Sequence, residues 1–194
     1  LPSGVSQHSQ KSARGGEDGS SFSDNEDFGF DSQPSSRMSL PKAVQKGQWQ
    51  EVEAAMKEFS KKSDVHELLM SKNTEGGTGL LMLAASTGKV DVLHRLAMEI
   101  QDQLGTAPMV KQLRDVDDEQ KPLLFHAVSG QSTPSSFRAA RILLSKTLGR
   151  GGMEEQLKHL DSSGRNIFMH AARYSRNRVW LEVWGIFYAR KELA

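Results

Sequence analysis

Beyond residue 37, apolar positions recur in steps of three and four, the period of amphipathic helices. They come in short stretches separated by polar turns. Leu40 to Lys46 is predicted as a brief helix stopped at Gly47, and Trp49, Val52, Met56 and Phe59 mark one face of a second. Leu81 to Thr87 forms another short helix, stopped by Gly88. Val90 to Leu104 forms a longer one, with Leu93, Leu96, Ala97 and Ile100 inward. A third pair is expected at Leu123 to Ser129 and Phe137 to Leu148, around a loop at Gly130 to Ser136. Pro134 suits a first helical turn. The fourth pair is Ile167 to Tyr174 and Val179 to Lys191. Short extra helices, His66 to Met70, Met109 to Leu113 and Met153 to Leu160, are expected between the pairs.

The pairs repeat. Leu69, Leu113 and Leu157 lie 44 residues apart, as do Leu104-Gly105 and Leu148-Gly149, Asp117 and Asp161, and His126-Ala127 and His170-Ala171. A fixed period of this size means one supersecondary unit stacked several times, each unit burying an apolar side on its neighbour. The expected fold is all-α, a helical-hairpin solenoid of about four repeats over 38–194, with units near 38–73, 74–116, 117–160 and 161–194.

The fourth unit reads Asp161-x-x-Gly164-x-Asn166-Ile167-Phe168-x-x-Ala171-Ala172. It resembles the turn-then-helix signature of ankyrin repeats. The second unit is similar through Gly77, Leu81, Ala84, Ala85, Gly88 and Val92-Leu93. The third is similar through Asp117, Leu124, Ala127 and Val128, and the first through Leu40, Ala43, Gly47 and Val52. The departures are specific. The family period is about 33 residues. The usual Thr-Pro pair is replaced by Gly79-Leu80, Pro122-Leu123 and Asn166-Ile167, and the family histidine position by Met82, Phe125 and Met169. HEAT and armadillo repeats, at about 40–47 residues, stay open as the alternative fold. The ankyrin resemblance implies binding through the turns. It thereby points to Thr74, Glu75, Thr78, Asp117, Asp118, Glu119, Lys121, Asp161, Arg165 and Asn166 as partner contacts.

Composition changes this picture at one end. Residues 1–37 hold ten serines and five glycines, with six acidic and three basic side chains. Such a segment buries too little apolar surface to offset an ordering entropy of roughly 1–2 kcal/mol per residue. It is expected to be a disordered or extended N-terminal arm. Within it Phe22, Phe28 and Phe30 alternate with acidic residues, a pattern that suits either an extended partner contact or a solvated spacer. Ser23, before Asp24 and Glu26, and Ser39, after Arg37, match acidic and basic kinase-site patterns.

The chemistry-bearing motifs are few. There are no cysteines, which excludes disulfides and cysteine-based metal or catalytic sites. Gly76-Gly77-Thr78-Gly79, Gly88-Lys89 and Gly149-Arg150-Gly151-Gly152 lack the preceding strand and the lysine-hydroxyl ending of a phosphate loop, so all three read as turns. His126 and His170 share one repeat position and read as seam residues. No metal, cofactor or catalytic set is expected. Arg173, Arg176 and Arg178 near Tyr174 and Trp180 keep a nucleic-acid reading open. Trp180, Trp184, Phe187 and Tyr188 form an aromatic stripe at helical spacing. That stripe reads either as core or as a face for a partner, a further repeat or a membrane surface. Val179 to Ala189 contains Glu182 and falls short of the roughly 20 apolar residues a membrane span needs.

The function expected from all this is a non-catalytic scaffold or adaptor that binds other proteins, as a subunit of a larger assembly. The alternatives are the regulatory ankyrin-like region of a larger enzyme or channel and a nucleic-acid-binding solenoid. The start at Leu1 reads as a processed or partial chain, and the compartment is left undetermined.

Overall fold

In the computed structural model, residues 39–58, 62–73, 75–174 and 178–189 are described. Phe59, Thr74, Arg176, Ser23 and the three phenylalanines of the arm lie outside them. Ten helices make up the described part: α1 Leu40–Lys46, α2 Trp49–Lys57, α3 Lys62–Leu69, α4 Leu80–Ser86, α5 Val90–Leu104, α6 Thr106–Arg114, α7 Leu123–His126, α8 Pro134–Lys158, α9 Ile167–Tyr174 and α10 Val179–Ala189. Among the described residues there is no β-strand, only isolated bridges Lys72↔Gly79 and Val116↔Pro122.

The helices pair as hairpins, α1 with α2, α4 with α5, α7 with α8 and α9 with α10. The short first helices line up, α4 packing between α1 and α7, and α7 reaching α9. The longer second helices do the same, α5 against α8 and α8 against α10. The core follows this order: Leu81, Met82 and Ala84 of α4, Leu124 and Phe125 of α7 with Ala127 just after it, and Ile167 and Ala171 of α9 are all buried. The alanines let neighbouring helices approach closely, which a larger side chain would prevent.

Glycine is required where backbones meet. Gly88, after α4, has φ +73, and a Cβ there would fall 2.2 Å from the Gln131 carbonyl oxygen. That loop is tied back by the Gln131 N–H, which donates to the Ser86 carbonyl at 3.2 Å.

Several boundaries differ from expectation, among them that of α7, which ends at His126 and not at Ser129. The helix expected from Phe137 begins at Pro134, because Thr133 and Ser136 form a reciprocal capping box ahead of it. The glycine-rich stretch from Gly149 is no turn. Gly149 alone leaves helical geometry (φ 72, ψ −177), and Arg150 to Lys158 continue as a second helical segment. The connector helices α3 and α6 start at Lys62 and Thr106, earlier than His66 and Met109.

Candidate interaction surface

The turns before α4, α7 and α9 share one hydrogen-bond pattern. The N–H groups of Asn73, Asp117 and Asp161 donate to the carbonyls of Thr78, Lys121 and Arg165 at 2.8, 3.1 and 3.0 Å. The side-chain oxygens of the same three residues accept the N–H groups of Glu75, Glu119 and Ser163 at 3.3, 2.9 and 2.9 Å. Asn and Asp are the residues that build such turns, because a short side chain replaces a backbone acceptor two residues away. Asp117 and Asp161 each accept a second amide, from Lys121 and Arg165 at 2.8 and 3.0 Å.

The turns are also bonded to one another. The Asp118 N–H donates to the Gly76 carbonyl at 3.0 Å, and the Ser162 N–H to the Glu119 carbonyl at 2.9 Å. The first turn is one residue longer than the others, with Gly76 and Gly77 both at positive φ. Gly77 leaves no room for a Cβ, which would lie 2.3 Å from Asp118 Oδ1.

This geometry sorts the residues expected in the turns. Thr78, Asp117 and Asp161 are buried and hold the turns together. Lys121 is paired with Glu119, and Arg165 with Asp161 at 2.9 Å. Asn166 Oδ1 accepts the Met169 N–H at 2.9 Å and so caps α9. Glu75, Asp118 and Glu119 are exposed, joined by Gln120, Ser162 and Ser163 of the same turns. Gln120 has φ 61, while Gly164, at the matching place in the next turn, has φ 72. Left-handed geometry costs a side-chain-bearing residue roughly 1–2 kcal/mol and glycine almost nothing. The Gln120 carbonyl is held by His159 Nε2 at 2.7 Å.

Beneath the turns lie two histidines. His126 Nε2 donates to Asp117 Oδ2 at 3.0 Å. Burial by itself raises the Asp117 carboxyl, but bonds from His126 and the Lys121 amide, with the charges of both residues, outweigh it and hold it below the usual carboxylate range. Asp161 is lowered in the same way: the Arg165 amide and guanidinium and the Ser163 amide outweigh burial. His170 is buried between Phe125 and Tyr174, with ring centroids 5.4 and 4.6 Å away. Burial, with Lys121 and Arg165 nearby, pushes it down to about 4.

The aromatic stripe divides. Phe187 is buried, while Trp180, Trp184 and Tyr188 are exposed. Phe168 packs beneath the stripe, its ring 5.2 Å from Trp184 and 6.2 Å from Phe187. Arg173 lies over Tyr174 at 5.2 Å. Ser39 is exposed just before α1 and makes no side-chain cap bond.

A groove of about 450 Å³ runs between α5 and α8, lined by Leu93, Ala97, Met98, Met109, Ile142 and Leu143, with Asp102 and Lys146 as its charged members. Among the described residues no group of three or more His, Asp or Glu side chains is placed to hold a metal ion. No described helix is long and apolar enough to cross a membrane. No known protein-family model matches the sequence, and no curated protein resembles it at a significant level.

Proposed function

We propose that residues 39–189 form an ankyrin-like solenoid that acts as a non-catalytic surface for binding other proteins, as a subunit of a larger assembly. The supporting observation is the rigid row of turns. Each turn spends its Asn or Asp inward, and the amide-to-carbonyl bonds between turns fix their spacing. Fixed spacing reduces the ordering cost of binding, which is the usual advantage of a preorganised surface. What the row presents outward is Glu75, Asp118, Glu119, Gln120, Ser162 and Ser163. Gln120 supports this reading, because strained backbone bearing a side chain at an exposed tip points to use of that side chain.

The test is capture from a cell extract by the intact chain and by a variant carrying Glu75→Lys, Asp118→Lys and Glu119→Lys. All three residues are exposed, so helicity and melting temperature should not change. The expected result is loss of the captured protein from the variant. Equal recovery by both chains contradicts binding through the turns.

A further inference from the structure

The groove between α5 and α8 differs from the grooves on either side of it. In both of those a cation reaches across. Arg95 of α5 lies over the ring of Trp49 of α2 at 5.6 Å, and Arg138 of α8 pairs with Glu182 of α10. The sequence removes both crossings from the middle groove. Ala139 of α8 stands 44 residues after Arg95 and is too short to reach α5. The places matching Arg138 and Glu182 are held by His94 and Arg138, with no carboxylate between them. The groove is left open and apolar. Val90, Met98 and Ile142 are 38%, 51% and 54% exposed, and all three line it.

Its outer positions form matched pairs. Met98 of α5 and Ile142 of α8 are 44 residues apart, and so are Asp102 of α5 and Lys146 of α8. Equal places in successive hairpins put the members of each pair at one level on opposite walls. Asp102 and Lys146 are both exposed, and neither has an ion-pair partner among the described residues. An occupant of this groove must therefore offer a cation opposite Asp102, an anion opposite Lys146 at the same level, and apolar groups beside them. The α5–α8 surface is itself such a surface.

We infer that the α5–α8 groove is a self-association face whose occupant is the same groove of a second copy of this chain. A two-fold axis along the groove lays each α5 on the second copy's α8 with the levels kept. Asp102 then meets the second copy's Lys146, and Met98 its Ile142, each contact made twice, as a symmetric interface requires. The four helices stand at the corners of a square, and the methionines and isoleucines of both copies fill its centre. The wall from Val90 to Asp102 is about 18 Å long at the helical rise, short for a permanent interface, so association is weak and depends on concentration. The inference goes beyond the proposed binding of other proteins. It rests on the stacked-hairpin order and not on the turns.

Sedimentation equilibrium of the intact chain, from micromolar to millimolar concentration, is the test. Asp102→Lys sets lysine against the second copy's Lys146, and Lys146→Asp sets aspartate against its Asp102. Each single reversal is expected to weaken dimerisation by about tenfold or more, and the two together to restore it. Restoration is specific to a second copy, because a different partner would keep its own charges. Both residues are exposed, so helicity and melting temperature of the monomers should match the parent chain. A parent chain that stays monomeric throughout overturns the inference and leaves the groove to a different occupant. Dimers indifferent to both reversals also overturn it and put the contact elsewhere, as on the exposed aromatic residues of α10. Weakening that the exchange of charges fails to restore overturns it as well. None of these results bears on capture through the turns.

Discussion

Gln156 donates its side-chain amide to the carbonyl of Leu113 as Gln112, 44 residues earlier, donates to the carbonyl of Leu69 at 2.7 Å. Both glutamines are buried, and each reaches back to the end of the preceding connector helix. They satisfy carbonyls that a helix terminus leaves open. They also tie the period of the chain to a physical distance, the step from one hairpin to the next.

The two glutamines are not equal. Gln156 Oε1 also accepts the Leu124 N–H at 3.2 Å, whereas Gln112 Oε1 has no hydrogen-bond partner among the described residues. Gln156→Ala leaves two buried backbone groups unpaired and should cost about 2–3 kcal/mol, and Gln112→Ala, which frees one carbonyl, about 1 kcal/mol. Urea unfolding of the two variants measures the order. A larger loss from Gln112→Ala would contradict it.

Gln120→Gly should raise stability by roughly 1 kcal/mol, because glycine adopts the left-handed conformation without the Cβ penalty. Should Gln120 serve the proposed surface, the same change weakens capture of the partner while the protein melts at a higher temperature. Melting and capture measured on one variant separate the two effects. Lower stability would show that the Gln120 side chain supports the turn itself.

His170 makes stability fall in mild acid. Its folded-state pKa is about 4, lowered by burial and by Lys121, Arg165 and His126 against the opposing Asp161. In the unfolded chain it titrates near its ordinary 6.5. Above that pH neither state carries the proton, and the residue adds no pH dependence. As pH falls from 6.5 toward 4, only the unfolded chain is protonated, so stability drops by up to about 3 kcal/mol. Asp117 and Asp161, both held low, add their losses only below the ordinary carboxylate value of 3.8. His170→Leu, which copies Leu83 at the same place in α4, should flatten the curve across the histidine window. Denaturant unfolding at several pH values checks this, and an unchanged slope in the variant would contradict it.

The helices were legible because their apolar faces repeat at 3.6 residues and because alanines and glycines mark their packing and their ends. Val90–Leu104 and Ile167–Tyr174 lie where the pattern puts them. The turn at Asp161 was legible as well, since Asp and Gly at that spacing have one common use. Three things were not. Gln112 and Gln156 sit in polar stretches that read as solvent-facing, and only their recurrence at the repeat spacing marks them. Asp117 and Asp161 are legible as turn residues, but their burial shows only once the backbone amides around them are placed. The split of the aromatic stripe depends on what covers α10, which helical spacing does not encode.

Amide hydrogen exchange, resolved along the intact chain, tests most directly whether hairpins are covered only by their neighbours. In such a row each hairpin has its own opening energy, set by the seams on either side. Protection should be highest in α4, α5, α7 and the first half of α8, and should decline toward α1–α2 and toward α9–α10. A single opening energy shared by all ten helices would mean one indivisible core and would contradict the stacked row.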